Sequence, residues 1–343
     1  LSLVGMETLN DIGAVDYLGV DMLALSVFDT WINRGSLGGA AQIALVLLVF
    51  IIGLIWLERY GRRGQVLAGK GTDKVQGAIY VLTGWRSLSA LFMCGLPLVL
   101  GFVLPLGLLL NACWDSRNSI DIASVLNALL NTLTIAGAAA TLCLVVALVL
   151  VVGSRQAQRP VAKRFIGLSS LGYAVPGTVL GLGTLIVLAG FDNWFDGQMR
   201  HWFGFSTGLI LTGSVAGLAL VASLRFMAMT QGSMQSVLDQ TPQSVDRAAR
   251  TLGETQWGVF IRVHLPMLTR AGLAGALLVI VDTLKELSAT LVLLPFNYHT
   301  LATLLYEKAS NAVVEEGSLA ALLIIAAGLL PVVYVSRRLD HSA

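Results

Sequence analysis

Charge is what this chain has least of. Only 12% of its 343 residues are Asp, Glu, Lys or Arg, against 56% hydrophobic residues. A soluble domain carries about 25% charged residues, so the chain lacks the polar side chains needed to cover a water-facing surface. That shortage argues against a soluble enzyme, a nucleic-acid binder and a disordered chain. Three cysteines, Cys94, Cys113 and Cys143, lie in or beside apolar runs without C-x-x-C spacing, which leaves neither a disulfide framework nor a zinc site. The four histidines, His201, His264, His299 and His341, are scattered without ligand spacing, so no metal site and no cofactor is expected. The net charge of +2 says little until its placement is considered. The composition is that of an all-α polytopic membrane protein.

A spanning helix needs about 20 apolar residues. Windows free of charge run 35–57, 87–114, 122–154, 165–191, 201–224 and 317–336. A further span near 271–294 is interrupted by Asp282, Lys285 and Glu286, and residues 1–16 hold a short apolar piece with Glu7 and Asp11. About seven full spans and one partial span are therefore expected. Basic residues favour the cytoplasmic side. The connections 58–89, 153–165 and 225–270 and the tail carry 17 of the 22 Lys and Arg, whereas the alternate connections carry only Arg34, Arg117, Arg200 and Lys308. This alternation places the C-terminus in the cytoplasm.

The chain opens at Leu1 with no basic region behind it, unlike a signal peptide, and an internal repeat accounts for the opening better. Shifted by 275, residues 3–14 overlay 278–289, with identities at Leu3, Val4, Thr8, Leu9 and Ala14, and with Glu7 on Asp282 and Asp11 on Glu286. After a gap, Gly35-Ser36-Leu37 falls on Gly317-Ser318-Leu319. The expected organisation is the last two spans of a first repeat over 1–57, a cytoplasmic linker over 58–90, and a complete second repeat of six spans over 91–343. The chain reads as N-terminally truncated.

Within 225–270, Thr241 is expected to cap a helix with Pro242 at its first position. Val245, Ala248, Ala249 and Leu252 form its apolar stripe, and Gly253 ends it in the left-handed C′ conformation. A second short helix follows Thr255, presents Trp257, Phe260, Ile261 and Leu265 on one face, and stops at Pro266. Two such helices outside the membrane call for a partner groove or the lipid interface.

The spacing Ala248-Ala249-x3-Gly253, then nine residues, then Val263-His264-Leu265-Pro266 resembles the coupling loop of the permease subunits of ABC importers. Arg247 stands where that family has glutamate, and Val263 where it has isoleucine. Tyr173-Ala-Val-Pro176-Gly177 is similar to a Pro-Gly element of the same permeases. Lys285-Glu286-Leu-Ser-Ala-Thr290 followed by Pro295-Phe-Asn-Tyr-His-Thr-Leu-Ala302, and the early Met6–Asp11 and Val15-Asp16-Tyr17, resemble two-repeat permeases of ferric-iron importers; Ser288 and Leu294 depart from the proline and arginine expected there. The resemblance implies a type I importer permease fold and a subunit that does no covalent chemistry. It also implies a cytoplasmic ABC ATPase, two copies of it, docking on Arg247, Ala248, Ala249, Gly253, Val263, Leu265 and Pro266. A periplasmic substrate-binding protein would dock over loops 113–123, 191–205 and 295–317, in a bacterial inner membrane and with no nucleic acid involved.

Asp282, Lys285 and Glu286 are spaced to share one helix face, and three charges in one turn at about 2.5–3.5 kcal/mol each call for an aqueous path or mutual pairing. Two readings stand: a polar lining of the translocation pathway, with Glu7, Asp11, Tyr173, Pro176 and Gly177, or a structural Asp282–Lys285 pair near the outer interface. Pro176-Gly177 would kink a membrane helix, while Gly177-x3-Gly181 and Gly213-x3-Gly217 suit close helix packing. Gly64-x4-Gly69-Lys70-Gly71 nearly spells a phosphate loop, but it lacks the hydroxyl residue and a preceding strand, and reads as a flexible basic connection. Alternatives to ferric iron are other small solutes such as thiamine, a phosphonate or a polyamine. Outside the family, the rival is an ion-driven secondary transporter using the intramembrane carboxylates.

Overall fold

The computed structural model describes residues 8, 11–62, 83–157, 166, 167 and 169–340. Glu7, most of the 3–14 overlay and the Gly64–Thr72 segment lie outside the described residues. Among the described residues all regular structure is helical. In chain order the helices are α1 Gly13–Tyr17, α2 Leu23–Ile32, α3 Leu37–Arg62, α4 Trp85–Asp115, α5 Ile122–Ala157, α6 Gly177–Phe203, α7 Val215–Gln240, α8 Gln243–Thr251, α9 Gln256–Leu284, α10 Ser288–Leu293, α11 Leu301–Ser310 and α12 Val314–Asp340. Among the described residues six are long and apolar enough to cross a membrane: α3, α4, α5, α6, α7 and α9.

The core is the packing of α7 between α5 and α9. Ala139, Ala140, Cys143, Ala147 and Val151 of α5 meet Ala222, Phe226 and Met227 of α7 and Leu268, Ala276 and Val279 of α9. Small side chains dominate because helices in lipid gain nothing from merely hiding apolar surface; they associate by close van der Waals approach. Gly275 is the clearest case: a Cβ there would lie 2.6 Å from the Thr230 Cα on α7. By contrast α4, widened by a π-turn at Val99–Val103 just before Pro105, buries no residue and packs through its second half on α12.

Two span boundaries differ from the charge-free windows. The expected spans 165–191 and 201–224 are the helices 177–203 and 215–240, because three charges rejected by an apolar window have internal partners. Asp192 is fully buried and accepts the backbone N–H groups of Leu211 (3.1 Å) and Thr212 (2.7 Å). Asp196 accepts from Ser206 Oγ (2.7 Å), Thr207 N (2.7 Å) and Gly208 N (3.1 Å). These two carboxylates tie the 204–214 connection onto α6. Arg225, assigned to the cytoplasmic segment, lies buried inside α7. Gly213 serves a turn with φ of 67° rather than a packing face, whereas Gly181 does pack closely, its Cβ position lying 3.3 Å from Ala289 Cα.

A helix sequence occurs twice. Helices of 5, 10 and 26 residues (α1–α3) follow one another near the start, and helices of 6, 10 and 27 residues (α10–α12) at the end. The two sets touch: Tyr306 Oη on α11 donates to Asp16 Oδ2 on α1 at 2.8 Å, and Phe28 on α2 meets Tyr306 edge-on.

Candidate transport site and coupling surface

The helix expected to cross near 271–294 breaks at its charges. α9 ends at Leu284, Lys285 closes it, and α10 begins at Ser288. Asp282, Lys285 and Glu286 therefore do not share one helix face: Asp282 lies on α9, and Lys285 and Glu286 lie at the break that follows it. Asp282 and Lys285 form an ion pair at 3.2 Å, the lysine more than half exposed. Glu286 faces inward and is nearly buried. Its Oε1 accepts the Ala289 N–H at 2.9 Å, and its Oε2 lies 3.1 Å from Arg225 Nε. The arginine comes from α7 and is as buried as its partner, with side-chain exposures of 6% and 8%. Two opposite charges both removed from water are stable only as a pair, so this contact fixes the α9–α10 break against α7.

Gly177 makes room for the pair. A Cβ there would overlap Arg225 Nη1 and lie 2.8 Å from Ser288 Cβ and 2.9 Å from Glu286 Oε1. Pro176 does not kink a running helix. It stands at the N-cap of α6 with φ of −56°, where a missing N–H costs nothing, so the Pro-Gly element starts the helix at the ion pair.

Around the pair lies a cavity of about 240 Å³ walled by Asp11, Ile12, Tyr173, Arg225, Phe226, Asp282, Lys285, Glu286, Leu287 and Ser288. Five sequence-nominated residues, Asp11, Tyr173, Asp282, Lys285 and Glu286, meet here, with Gly177 against its ion pair. Residues more than 200 apart along the chain line one chamber. Arg225 escaped sequence reading because it borders a basic connection; its i+1 neighbour Phe226 and the apolar residues after it were the available signal. Among the described residues no three His, Cys, Asp or Glu side chains converge to hold a metal ion.

The second region is the α8–α9 hinge. Pro242, not Thr241, occupies the α8 N-cap; the Thr241 hydroxyl donates to Val237 O at the end of α7 instead. Gly253 has φ of +90°, and the Gly253 and Glu254 N–H groups bond back to Arg250 O and Ala249 O at 3.0 and 3.1 Å. Only glycine takes such a turn without cost. Thr255 Oγ1 accepts the Gly258 N–H at 3.1 Å, capping α9. Pro266 does not end the second helix. A π-turn at Phe260–His264 absorbs the missing donor, so the hinge helix runs unbroken into the membrane span to Leu284.

Asp246 anchors the hinge. Its carboxylate accepts Arg155 Nε at 2.8 Å and meets His264 Nε2 at 3.0 Å. Arg155, in the last turn of α5, also donates to the carbonyls of Leu238, Thr241 and Pro242. Burial alone would push the Asp246 carboxyl up; the Arg155 and His264 hydrogen bonds outweigh it and hold the carboxyl below its ordinary value. One carboxylate thus joins α8 to α5 and to α9. Beyond that anchor the apolar positions face outward: Leu252 is 85% and Trp257 68% exposed, and Val245, Ala248 and Ile261 are exposed too. Of the other nominated docking positions, Arg247 and Pro266 are exposed, and Ala249, Val263 and Leu265 half-buried.

Residues 146–342, which include the hinge, the ion pair and the α9–α10 break, match the family of binding-protein-dependent transport system inner membrane components. The chain belongs to that family. An Fe(3+)-transport system permease protein of Haemophilus influenzae is 23% identical over 96% of this chain and 63% of its own length. The chain thus spans less than two thirds of that relative. A molybdenum transport system permease protein of the same organism is 30% identical over 36% of this chain and 52% of its own. A sulfate transport system permease protein of Escherichia coli is 31% identical over 36% of this chain and 43% of its own. Among solved structures, a bacterial ABC transporter that imports the acidic polysaccharide alginate superposes with a TM-score of 0.56 at 13% identity, over 74% of this chain and 94% of that one. The all-α importer-permease fold follows from both comparisons.

Proposed function

We propose that this chain is the membrane pathway of an ATP-driven importer, moved by a cytoplasmic ATPase that grips the α8–Gly253–α9 hinge. The observation that carries the reading is the hinge: apolar side chains point outward while Asp246 ties their base to two membrane helices. A push on Leu252 and Trp257 is transmitted to α5 through Arg155 and to α9 through the continuous helix. Family membership supports a periplasmic binding protein as the donor of substrate, and basic-residue placement supports a cytoplasmic hinge and C-terminus, with Arg225 removed from the count. The doubled helix order supports an organisation in which 1–57 ends one repeat and 91–343 forms another.

For the cargo we favour ferric iron. Coverage of nearly the whole chain by an Fe(3+) permease supports it; the carboxylates of Asp11, Asp282 and Glu286 on the cavity wall offer hard oxygen atoms for passing contacts with a hard cation, not, among the described residues, a converging metal site. A second reading, a tetrahedral oxyanion, draws on the molybdenum and sulfate permeases and on Arg225 and Lys285 in the same cavity. In the first reading Arg225 and Lys285 neutralise the carboxylates until the chamber opens.

The test of coupling is Gly253→Asp in the intact membrane protein. Loss of ATPase co-purification or of ATP-driven uptake, with normal insertion, is expected; undiminished uptake refutes the docking role. Uptake of radiolabelled iron against molybdate and sulfate decides the cargo.

A further inference from the structure

The hinge contains a pocket with an unbalanced charge. About 290 Å³ in volume, it is walled among others by Arg155, Asp246, Arg247, Arg250, Gln256 and His264. Its one carboxylate is already engaged: Asp246 holds Arg155 and His264, and Arg155 uses its other nitrogens on three backbone carbonyls. Arg247 and Arg250 are exposed, and among the described residues neither side chain has an ion-pair or hydrogen-bond partner. The His264 ring is 2% exposed, and its Nδ1 has no hydrogen-bond partner. With Nε2 donating to Asp246, Nδ1 is left as an acceptor, so the surplus of the pocket is its two unpaired guanidinium groups, all donors, which call for an acceptor brought from outside.

Guanidinium forks match a carboxylate in shape and charge. The pocket is part of the hinge that bears Leu252 and Trp257, so whatever covers those apolar anchors brings its own polar groups to the pocket mouth. Apolar anchors beside a charged rim are the usual anatomy of a protein interface. We propose that an aspartate or glutamate side chain of the partner ATPase enters this pocket and pairs with Arg247 and Arg250, so that the docking contact is basic on the membrane side and acidic on the ATPase side. This inference rests on the coupling reading above and adds the chemistry of the partner.

The experiment titrates the ATPase that accompanies the chain onto the permease reconstituted in nanodiscs, at low and at high salt. The double variant Arg247→Glu/Arg250→Glu is expected to weaken binding about a hundredfold at low salt and to reverse the salt dependence, since salt then screens a repulsion. Arg247→Lys/Arg250→Lys is expected to fall between wild type and the double Glu variant while keeping the wild-type salt dependence, since the charge remains and the fork is lost. Both sites are exposed, so insertion and melting should not change. Unaltered binding by the double Glu variant overturns the proposal. If Leu252→Asp and Gly253→Asp meanwhile abolish binding, the coupling reading survives and only the acidic partner falls. If wild-type permease binds no ATPase at either salt, the coupling reading fails first. Inorganic phosphate is the remaining arm: a melting shift by phosphate in wild type, lost in Arg247→Gln/Arg250→Gln, would make the pocket a free-oxyanion site and overturn the proposal.

Discussion

Replacing Gly177 by alanine tests whether the buried ion pair organises the chamber. The added methyl would overlap Arg225 Nη1 and approach Ser288 Cβ to 2.8 Å and Glu286 Oε1 to 2.9 Å. None of these neighbours is the loose end of an exposed side chain, since both charged groups are more than nine-tenths buried. Overpacking of a tight site costs about 1–3 kcal/mol, and a buried pair forced apart loses about 3–5 kcal/mol. A partial displacement therefore costs about 2–4 kcal/mol. At about 2 °C per kcal/mol for a large chain, the nanodisc-embedded protein should melt about 4–8 °C lower, with its helical circular dichroism at low temperature unchanged. Gly183 on the same helix is the control. A Cβ there meets nothing within 4 Å, so Gly183→Ala should be neutral or gain up to about 1 kcal/mol in helix propensity. If Gly177→Ala melts with Gly183→Ala, residue 177 is not packed on the ion pair and the proposed construction of the chamber is wrong.

Arg225→Gln and Glu286→Gln should each cost about 3–5 kcal/mol, because each strands the opposite charge, while the double variant should melt above either single one; strict additivity of the three melting shifts would show the two side chains to be uncoupled. Glu286→Gln with Asp11→Asn, measured as uptake per inserted molecule, should slow transport more than either change alone, and a wild-type rate in the double variant returns both residues to a structural role. Asp246→Asn should loosen the hinge by about 1–3 kcal/mol through lost charge-assisted hydrogen bonds, seen as faster amide exchange over 243–264. In the native protein the same anchor has a pH sign. The folded carboxyl titrates below its ordinary value of 3.8, so its stabilisation is complete above the unfolded value and is lost as pH falls through the lower, folded one; exchange in the hinge should stay flat at neutral and mildly acidic pH and rise only below about 4, and a rise near pH 6 would point to another group.

The hinge was legible because its signals are local. A left-handed glycine, a threonine cap and a 3.6-residue apolar stripe are each set by a few neighbouring residues, and Gly253 and Thr255 occupy the roles their types suggest. The departures there are equally local: Pro242 takes the cap position one residue after Thr241, and a π-turn lets the helix pass through Pro266 without stopping. The chamber was harder. Asp282, Lys285 and Glu286 stand out as charges in an apolar run, Asp11 through its overlay on Glu286 and Tyr173 through the Pro-Gly element, but Arg225 does not stand out, since an arginine at the edge of an apolar window looks like the first residue of a cytoplasmic loop. Its partner lies 61 positions away, and nothing in either local sequence encodes that distance. Asp192 and Asp196 failed for the same reason, their acceptors being satisfied by a loop that hydropathy assigned to the span.

These misreadings share one cause, and it bears on how the chain works. A hydropathy window prices each charge as though it stood alone in lipid, yet Asp192 is hydrogen-bonded to the backbone at Leu211 and Thr212, and Arg225 and Glu286 are paired with each other. Where such a charge pairs across helices it also breaks or fixes a helix. α9 stops at Leu284, α10 restarts at Ser288, and the gap between them is held to α7 by Glu286 and Arg225. Irregular backbone at membrane depth is tolerated only where protein or a water-filled cavity satisfies it, and this break sits on the 240 Å³ chamber. α9 therefore has its two ends on different duties: one carries the exposed hinge, the other closes on the ion pair. One helix of 29 residues joins the two, so under the coupling proposed above a displacement of the hinge would reach the Arg225–Glu286 contact through a single element.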